Sequence, residues 1–114
     1  FQAIQHNLAM LAAHSAAANA AADLAAEAVE RGMNRLAIAA AKTRCGEAAG
    51  IGAAIAHAAH GAIGFTQEHT LHFFTKRLWS WRDEFGKESE WSLELGRAAS
   101  AAGPAKLWSD IVAA

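Results

Sequence analysis

One cysteine in 114 residues, Cys45, excludes an internal disulfide. Its neighbours Arg44 and Glu47 offer no base that would make it a nucleophile, so it reads as a packed thiol. A lone thiol suits a reducing compartment, and a cytoplasmic location is the expectation. Charge of one sign is also missing. Ten basic and eleven acidic residues leave a net charge of −1, with no charged run. That excludes the electrostatic footprint of a nucleic-acid or anionic-membrane binder. Long uninterrupted apolar stretches are absent too. Residues 8–28 come nearest, but His14, Asn19, Asp23 and Glu27 break them, whereas a membrane span needs about 20 predominantly apolar residues. No short apolar core with a positive flank marks a signal peptide. The first residue is Phe1 without a cap before it, which is expected of a segment of a longer chain.

Strand-like alternation is missing throughout, and what remains is helical periodicity in a chain that is 54% hydrophobic. Ile4, Leu8, Leu11, Ser15, Ala18, Ala22, Ala25 and Val29 follow one another at alternating steps of four and three. They predict one stripe of a long helix ending near Arg31, with Gly32 just beyond it. Asn34 is placed to cap a second helix running to about Ala59. Gly46, Gly50 and Gly52 lie inside that helix, each costing about 0.8–1 kcal/mol against alanine, which points to close backbone packing. A loop at His60, Gly61, Ala62, Ile63 and Gly64 is expected next. Thr66 then caps a third helix carrying Leu71, Phe74, Leu78, Trp81 and Phe85 on its apolar stripe, ended by Gly86. A fourth, from near Glu88, buries Trp91, Leu95, Ala98 and Ala102. Gly103 and Pro104 interrupt it, and residues 105–112 form a last short piece. Long helices on short loops predict an all-α fold, an antiparallel up-and-down four-helix bundle occupying residues 1–114 as one domain.

Two segments are more specific than the fold. Phe1-Gln2-Ala3-Ile4-Gln5-His6-Asn7-Leu8-Ala9 resembles the start of a long helix in the C-terminal helical domain of acyl-CoA dehydrogenases. His60-Gly61-Ala62-Ile63-Gly64-Phe65-Thr66-Gln67-Glu68-His69 resembles that family's H-G-G-x-G-[FY]-[ST]-x-E-[YH] loop and helix start. The resemblance covers nearly the whole chain and weakens after Arg82. It implies a fragment of a longer FAD-dependent flavoprotein of lipid metabolism that oxidises the Cα–Cβ bond of an acyl-CoA. A carboxylate takes the α-proton and the flavin takes the hydride. It further implies self or paralogous partner subunits in a homotetramer or heterotetramer (a dimer of dimers), an electron-transfer acceptor, and an FAD shared across a subunit interface.

By position, Gln2 matches a glutamine that contacts FAD, its amide offering donor and acceptor together. Ala58, Ala59, His60, Gly61 and Ala62 match a Q-x-x-G-G loop whose backbone approaches the cofactor, with Ala58 replacing the usual glutamine. Many relatives carry their base in an E-G-T sequence after the third helix. An ungapped reading puts Phe85 there, followed by Gly86 and Lys87, and phenylalanine cannot accept a proton. Glu84 beside it is the candidate catalytic residue. The alternatives are a base on an earlier helix outside this segment, or a catalytically silent partner subunit of a mixed tetramer.

Other clusters have plainer readings. His57 and His60, like His69 and His72, stand three apart, but no paired Glu-x-x-His motif accompanies them, so no metal is expected. A non-flavin helical interaction or metal-binding bundle is the remaining rival. Trp79, Trp81, Trp91 and Trp108 read as core or intersubunit packing rather than as stacking partners of a flavin or adenine. Lys76, Arg77 and Arg82 read as a solvated helix face.

Overall fold

The computed structural model describes residues 2–63 and 68–113, and among these every regular element is an α-helix: α1 (Gln2–Glu30), α2 (Arg35–Ile63), α3 (Glu68–Asp83), α4 (Glu88–Ala102) and α5 (Pro104–Ala113). The fold is all-α, as the periodicity predicts.

The α1–α2 corner follows from two local devices. Gly32 takes φ +113°, where a side chain would be strained, and its N–H donates to Val29 O at 3.3 Å. The Met33 N–H donates to Ala28 O at 2.8 Å, completing a Schellman closure of α1. Asn34 Oδ1 then accepts from the N–H groups of Leu36 at 3.0 Å and Ala37 at 3.4 Å, capping α2. Asn34→Ala is expected to lower the unfolding free energy by about 1 kcal/mol, read from the denaturant midpoint.

α2 is the hub, and its three interior glycines explain how. A Cβ on Gly52 would stand 3.1 Å from Leu11 of α1, one on Gly50 would stand 3.4 Å from Arg82 of α3, and one on Gly46 would stand 3.0 Å from Glu88 of α4. The three helix contacts of α2 thus each have a glycine at the meeting point. Alanine does the rest of the core work: Ala28, Ala37, Ala39, Ala41, Ala53 and Ala59 are buried. α5 packs on α4.

The helices pair antiparallel to α2. Leu11 meets Gly52, and the Cys45 thiol reaches Ala18 O, so positions in α1 rise as those in α2 fall. α3 descends the C-terminal half of α2 in the same way, through His57 with Thr75 and Gly50 with Arg82. α4 continues down the other half, through Gly46 with Glu88 and Arg35 with Glu94. α3 and α4 therefore follow one another along α2 instead of packing on each other as consecutive helices of an up-and-down bundle. The shape is long for its size. The radius of gyration is 16.5 Å against about 13 Å for a compact chain of this length, and the longest extent is 50 Å.

Several expectations change. The inward face of α1 is Ile4, Leu11, His14, Ala18, Ala21, Ala25 and Ala28, whereas Leu8, Ser15, Ala22 and Val29 are exposed. α2 covers only one flank of the apolar stripe. α2 also runs past Ala59: His60, Gly61, Ala62 and Ile63 are helical, not a loop. Glycine's cost of about 1 kcal/mol is too small to end a helix already propagated for 26 residues. α3 stops at Asp83, which leaves Phe85 off its stripe, and among the described side chains of α3 the most buried is Thr75 at 1% exposure. Trp81 on that stripe is 63% exposed, and on α4 Ala98 is exposed while Trp91, Leu95 and Ala102 are half-buried. Gly64 and the Thr66 cap lie outside the described residues.

Candidate functional site

The α1–α2 register brings together the two segments singled out in the sequence. Leu11 opposite Gly52 and Ala18 opposite Cys45 extrapolate to Gln2 level with Gly61. Gln2 opens α1 with an exposed side chain, and Gly61 is exposed with nothing within 4 Å of where a Cβ would stand. Ala58 is exposed, Ala59 is buried, and His60 is half-buried with Nδ1 at 2.8 Å from Ala56 O. The side chain of Ala62 lies outside the described residues.

Because residues 58–62 are helical, their backbone N–H groups are committed within α2. They cannot serve a ligand as the open loop of the sequence reading would. What this end offers is an approachable helix surface at Gly61, the free edge of His60 and the amide of Gln2.

A second cluster sits on the C-terminal half of α2. His57 Nε2 is 3.1 Å from Thr75 Oγ1. The Thr75 hydroxyl donates back to Leu71 O at 3.4 Å or His72 O at 3.3 Å, so the His57 Nε2–H donates to it. The His57 ring also lies 4.7 Å from that of His72 and 6.2 Å from that of Trp79. The two histidines that meet thus come from different sequence pairs, and His60 turns back to its own helix. Among the described residues no group of three or more His, Cys, Asp or Glu could hold a metal.

The third cluster is the turn after α3, and the sequence reading missed how it is held. Lys42 Nζ donates to Arg82 O at 3.2 Å and Glu84 O at 2.7 Å, capping the end of α3 with a cation. Trp91 Nε1 donates to Phe85 O at 2.9 Å. Arg35 lies 5.1 Å over the Trp91 ring and forks onto Glu94, with Nη2 3.2 Å from Oε2. The hydrogen bond to Glu94, and then the Glu94 charge, raise the Arg35 pKa above its usual value. Phe85 has φ +58° and is 90% exposed, and Gly86 has φ +99°. The Glu84 side chain is exposed. A lysine that interrupts the apolar run after residues 36–41 was the one sequence signal for this device.

Lys76 and Arg77 are exposed, and Arg82 is half-buried with Nε 3.7 Å from Asp83. No helix among the described residues is long and apolar enough to cross a membrane. The two ends differ in what they can do. Gln2 and Gly61 are exposed at one end, and the turn carries Glu84, the carboxylate singled out in the sequence, at the other. Nineteen positions of α2 separate Gly61 from Lys42, about 28 Å along the axis.

No curated protein and no solved structure matches this chain. The model of the acyl-CoA dehydrogenase C-terminal domain matches residues 1–81, ending just before the 84–86 turn. The match takes in both resembling segments and well over half of the sequence, and the chain belongs to the acyl-CoA dehydrogenase C-terminal domain family.

Proposed function

We propose that this chain is the C-terminal domain of an FAD-dependent acyl-CoA dehydrogenase that oxidises the Cα–Cβ bond of an acyl-CoA, and that it works only as part of an oligomer. The observation that carries this reading is the Gln2–Gly61 end of the α1–α2 hairpin, in a chain of this family. Gln2 would offer its amide to a polar edge of FAD, and the face at Ala58, His60 and Gly61 would lie against the cofactor. FAD when bound supplies the hydride acceptor. The separation of about 28 Å between this end and the 84–86 turn supports two chains contributing to each active site, since no side chain spans it.

Burial supports the oligomer. The core is alanine and glycine, while Leu8, Leu24, Phe73, Phe74, Leu78 and Trp81 are exposed. Leu11, Ala49, Ala53, Leu71, Phe74 and Leu78 line an open groove of about 390 Å³ between α1 and α3. A surface this apolar is the usual mark of a face covered by another subunit. The same geometry supports reading the long helices as three-quarters of a bundle completed in the assembly. Self or paralogous subunits, an electron-transfer acceptor and a cytoplasmic location belong to this reading.

The proton acceptor is either Glu84 or a carboxylate from outside these residues. A silent-partner role has one specific support, the phenylalanine at position 85. Purified full-length protein, alone or with a paralogous subunit, is expected to carry flavin absorbance that an acyl-CoA bleaches. Colourless protein under both conditions sinks the dehydrogenase reading. A Gln2→Ala variant is expected to lose bound flavin about tenfold more readily, the ordinary consequence of one lost polar contact worth about 1.4 kcal/mol.

A further inference from the structure

The N-terminal half of α1 is held by very few side chains. Within residues 2–14 only Ile4, Leu11 and His14 are withdrawn from solvent even in part, while Leu8 and Met10 stand exposed. α2 is the helix that packs against α1, and Leu11 is seated at its Gly52 notch. Among the described residues two side-chain hydrogen bonds cross from α2 to α1. One is the weak contact of the Cys45 thiol with Ala18 O at 3.5 Å. The other runs from Arg44 Nη2 to His14 Nδ1 at 2.9 Å.

The chemistry of that second bond fixes the state of the ring. A guanidinium has donors and no acceptor, so Nδ1 must be the acceptor and the imidazole proton sits on Nε2. A second proton would land on Nδ1, the very atom that Arg44 addresses. The bond would be lost, and two cations would face each other across the helix pair. The other ionisable groups of α2 near the ring are Glu47, on Arg44, and the Cys45 thiol, one turn along α1 at Ala18. On α1 itself no ionisable residue lies within four positions of His14. Glu47 is held on the far fork of the guanidinium, with Oε2 3.4 Å from Nη1, so Arg44 stands between that carboxylate and the ring.

We infer that His14 and Arg44 form a proton-sensitive latch, closed while His14 is neutral, whose opening in mild acid frees residues 2–14 of α1 from α2. Histidine is the side chain that ordinarily takes up a proton between pH 8 and 5. Here acid withdraws a hydrogen bond and adds a repulsion, so both effects act in one direction as pH falls. Only Ile4 and Leu11 oppose the separation, and the freed segment carries Gln2.

The test is hydrogen–deuterium exchange of the full-length protein at pH 7.5 and pH 5.5, with uptake converted to protection factors so that the intrinsic effect of pH on exchange is removed. Peptides from residues 2–14 are expected to lose about tenfold in protection at pH 5.5, the scale of one charge-assisted hydrogen bond. His14→Gln keeps an acceptor for Arg44 and cannot titrate, and it is expected to hold its protection at both pH values. The exposed His6 remains in that variant, so the comparison isolates His14. Arg44→Gln reads the latch from the α2 side: a donor remains but the repulsion is gone, and the drop is expected to shrink to about threefold. Parent protein with equal protection at the two pH values overturns the inference. So does a drop in His14→Gln or in Arg44→Gln as large as that of the parent, because the acid response would then belong to other groups.

Discussion

Gly86→Ala is expected to lower the unfolding free energy by about 3 kcal/mol, the sum of a backbone cost and a displaced indole. At φ +99° an alanine is strained by about 1–2 kcal/mol before any contact is counted. Its Cβ would also sit 2.7 Å from Trp91 Nε1 and 3.3 Å from Trp91 Cδ1, distances that force the ring to move. Moving the ring withdraws the donor from Phe85 O and uncovers the stack beneath Arg35. Gly32→Ala is the matched control. Gly32 has a similar φ of +113°, but nothing lies within 4 Å of its added Cβ, so only the backbone cost of about 1–2 kcal/mol applies. Urea denaturation followed by far-UV circular dichroism gives both values. Equal losses in the two variants would mean that the Trp91 contact contributes nothing.

The difference between those two glycines also separates what the sequence could reveal from what it could not. Gly32 and Asn34 were legible because a helix end is a local event: a left-handed residue closes α1, and a side-chain oxygen two residues later opens α2. The family match likewise spans the two local strings at the ends of the hairpin. Their meeting follows from arithmetic, since α1 and α2 each have 29 residues and are joined by a short corner. Long-range selection is what the residues did not disclose. In an alanine-rich helix a period of three and four suits two adjacent faces. Only the position of α2 decides that His14, Ala21 and Ala28 turn inward in place of Ser15, Ala22 and Val29. Phe85 continued the spacing of Trp81, yet α3 had already ended at Asp83, where Lys42, forty positions earlier, collects its carbonyls. Gly61 is expected in a loop, but it lies within α2. Its value here is the open surface it leaves on a helix that does not break.

Gly46→Leu is expected to destabilise the fold by about 1–3 kcal/mol even though it removes a glycine from the middle of a helix. Two effects oppose each other. Replacing glycine within α2 gains about 0.8–1 kcal/mol in helix propensity, and at an uncrowded position that gain would appear in full. At Gly46 the added Cβ alone meets Glu88 Cβ at 3.0 Å. That neighbour is fixed to the α4 backbone and cannot swing aside, so the three further carbons of leucine must push the first turn of α4 off α2. Gly50→Ala tests the opposite sign in the same helix. Its Cβ would meet only Arg82 Nη1, at 3.4 Å, the far end of a flexible side chain that can move by a few tenths of an ångström. The propensity gain therefore survives, and Gly50→Ala is expected to stabilise by about 0.5–1 kcal/mol. Denaturant midpoints moving in opposite directions for the two variants would establish that α2 packs its neighbours through distinct glycine notches. Midpoints rising together would mean that α4 is not seated on α2 at Gly46, and the support of the 84–86 turn from the α4 side would fall with it.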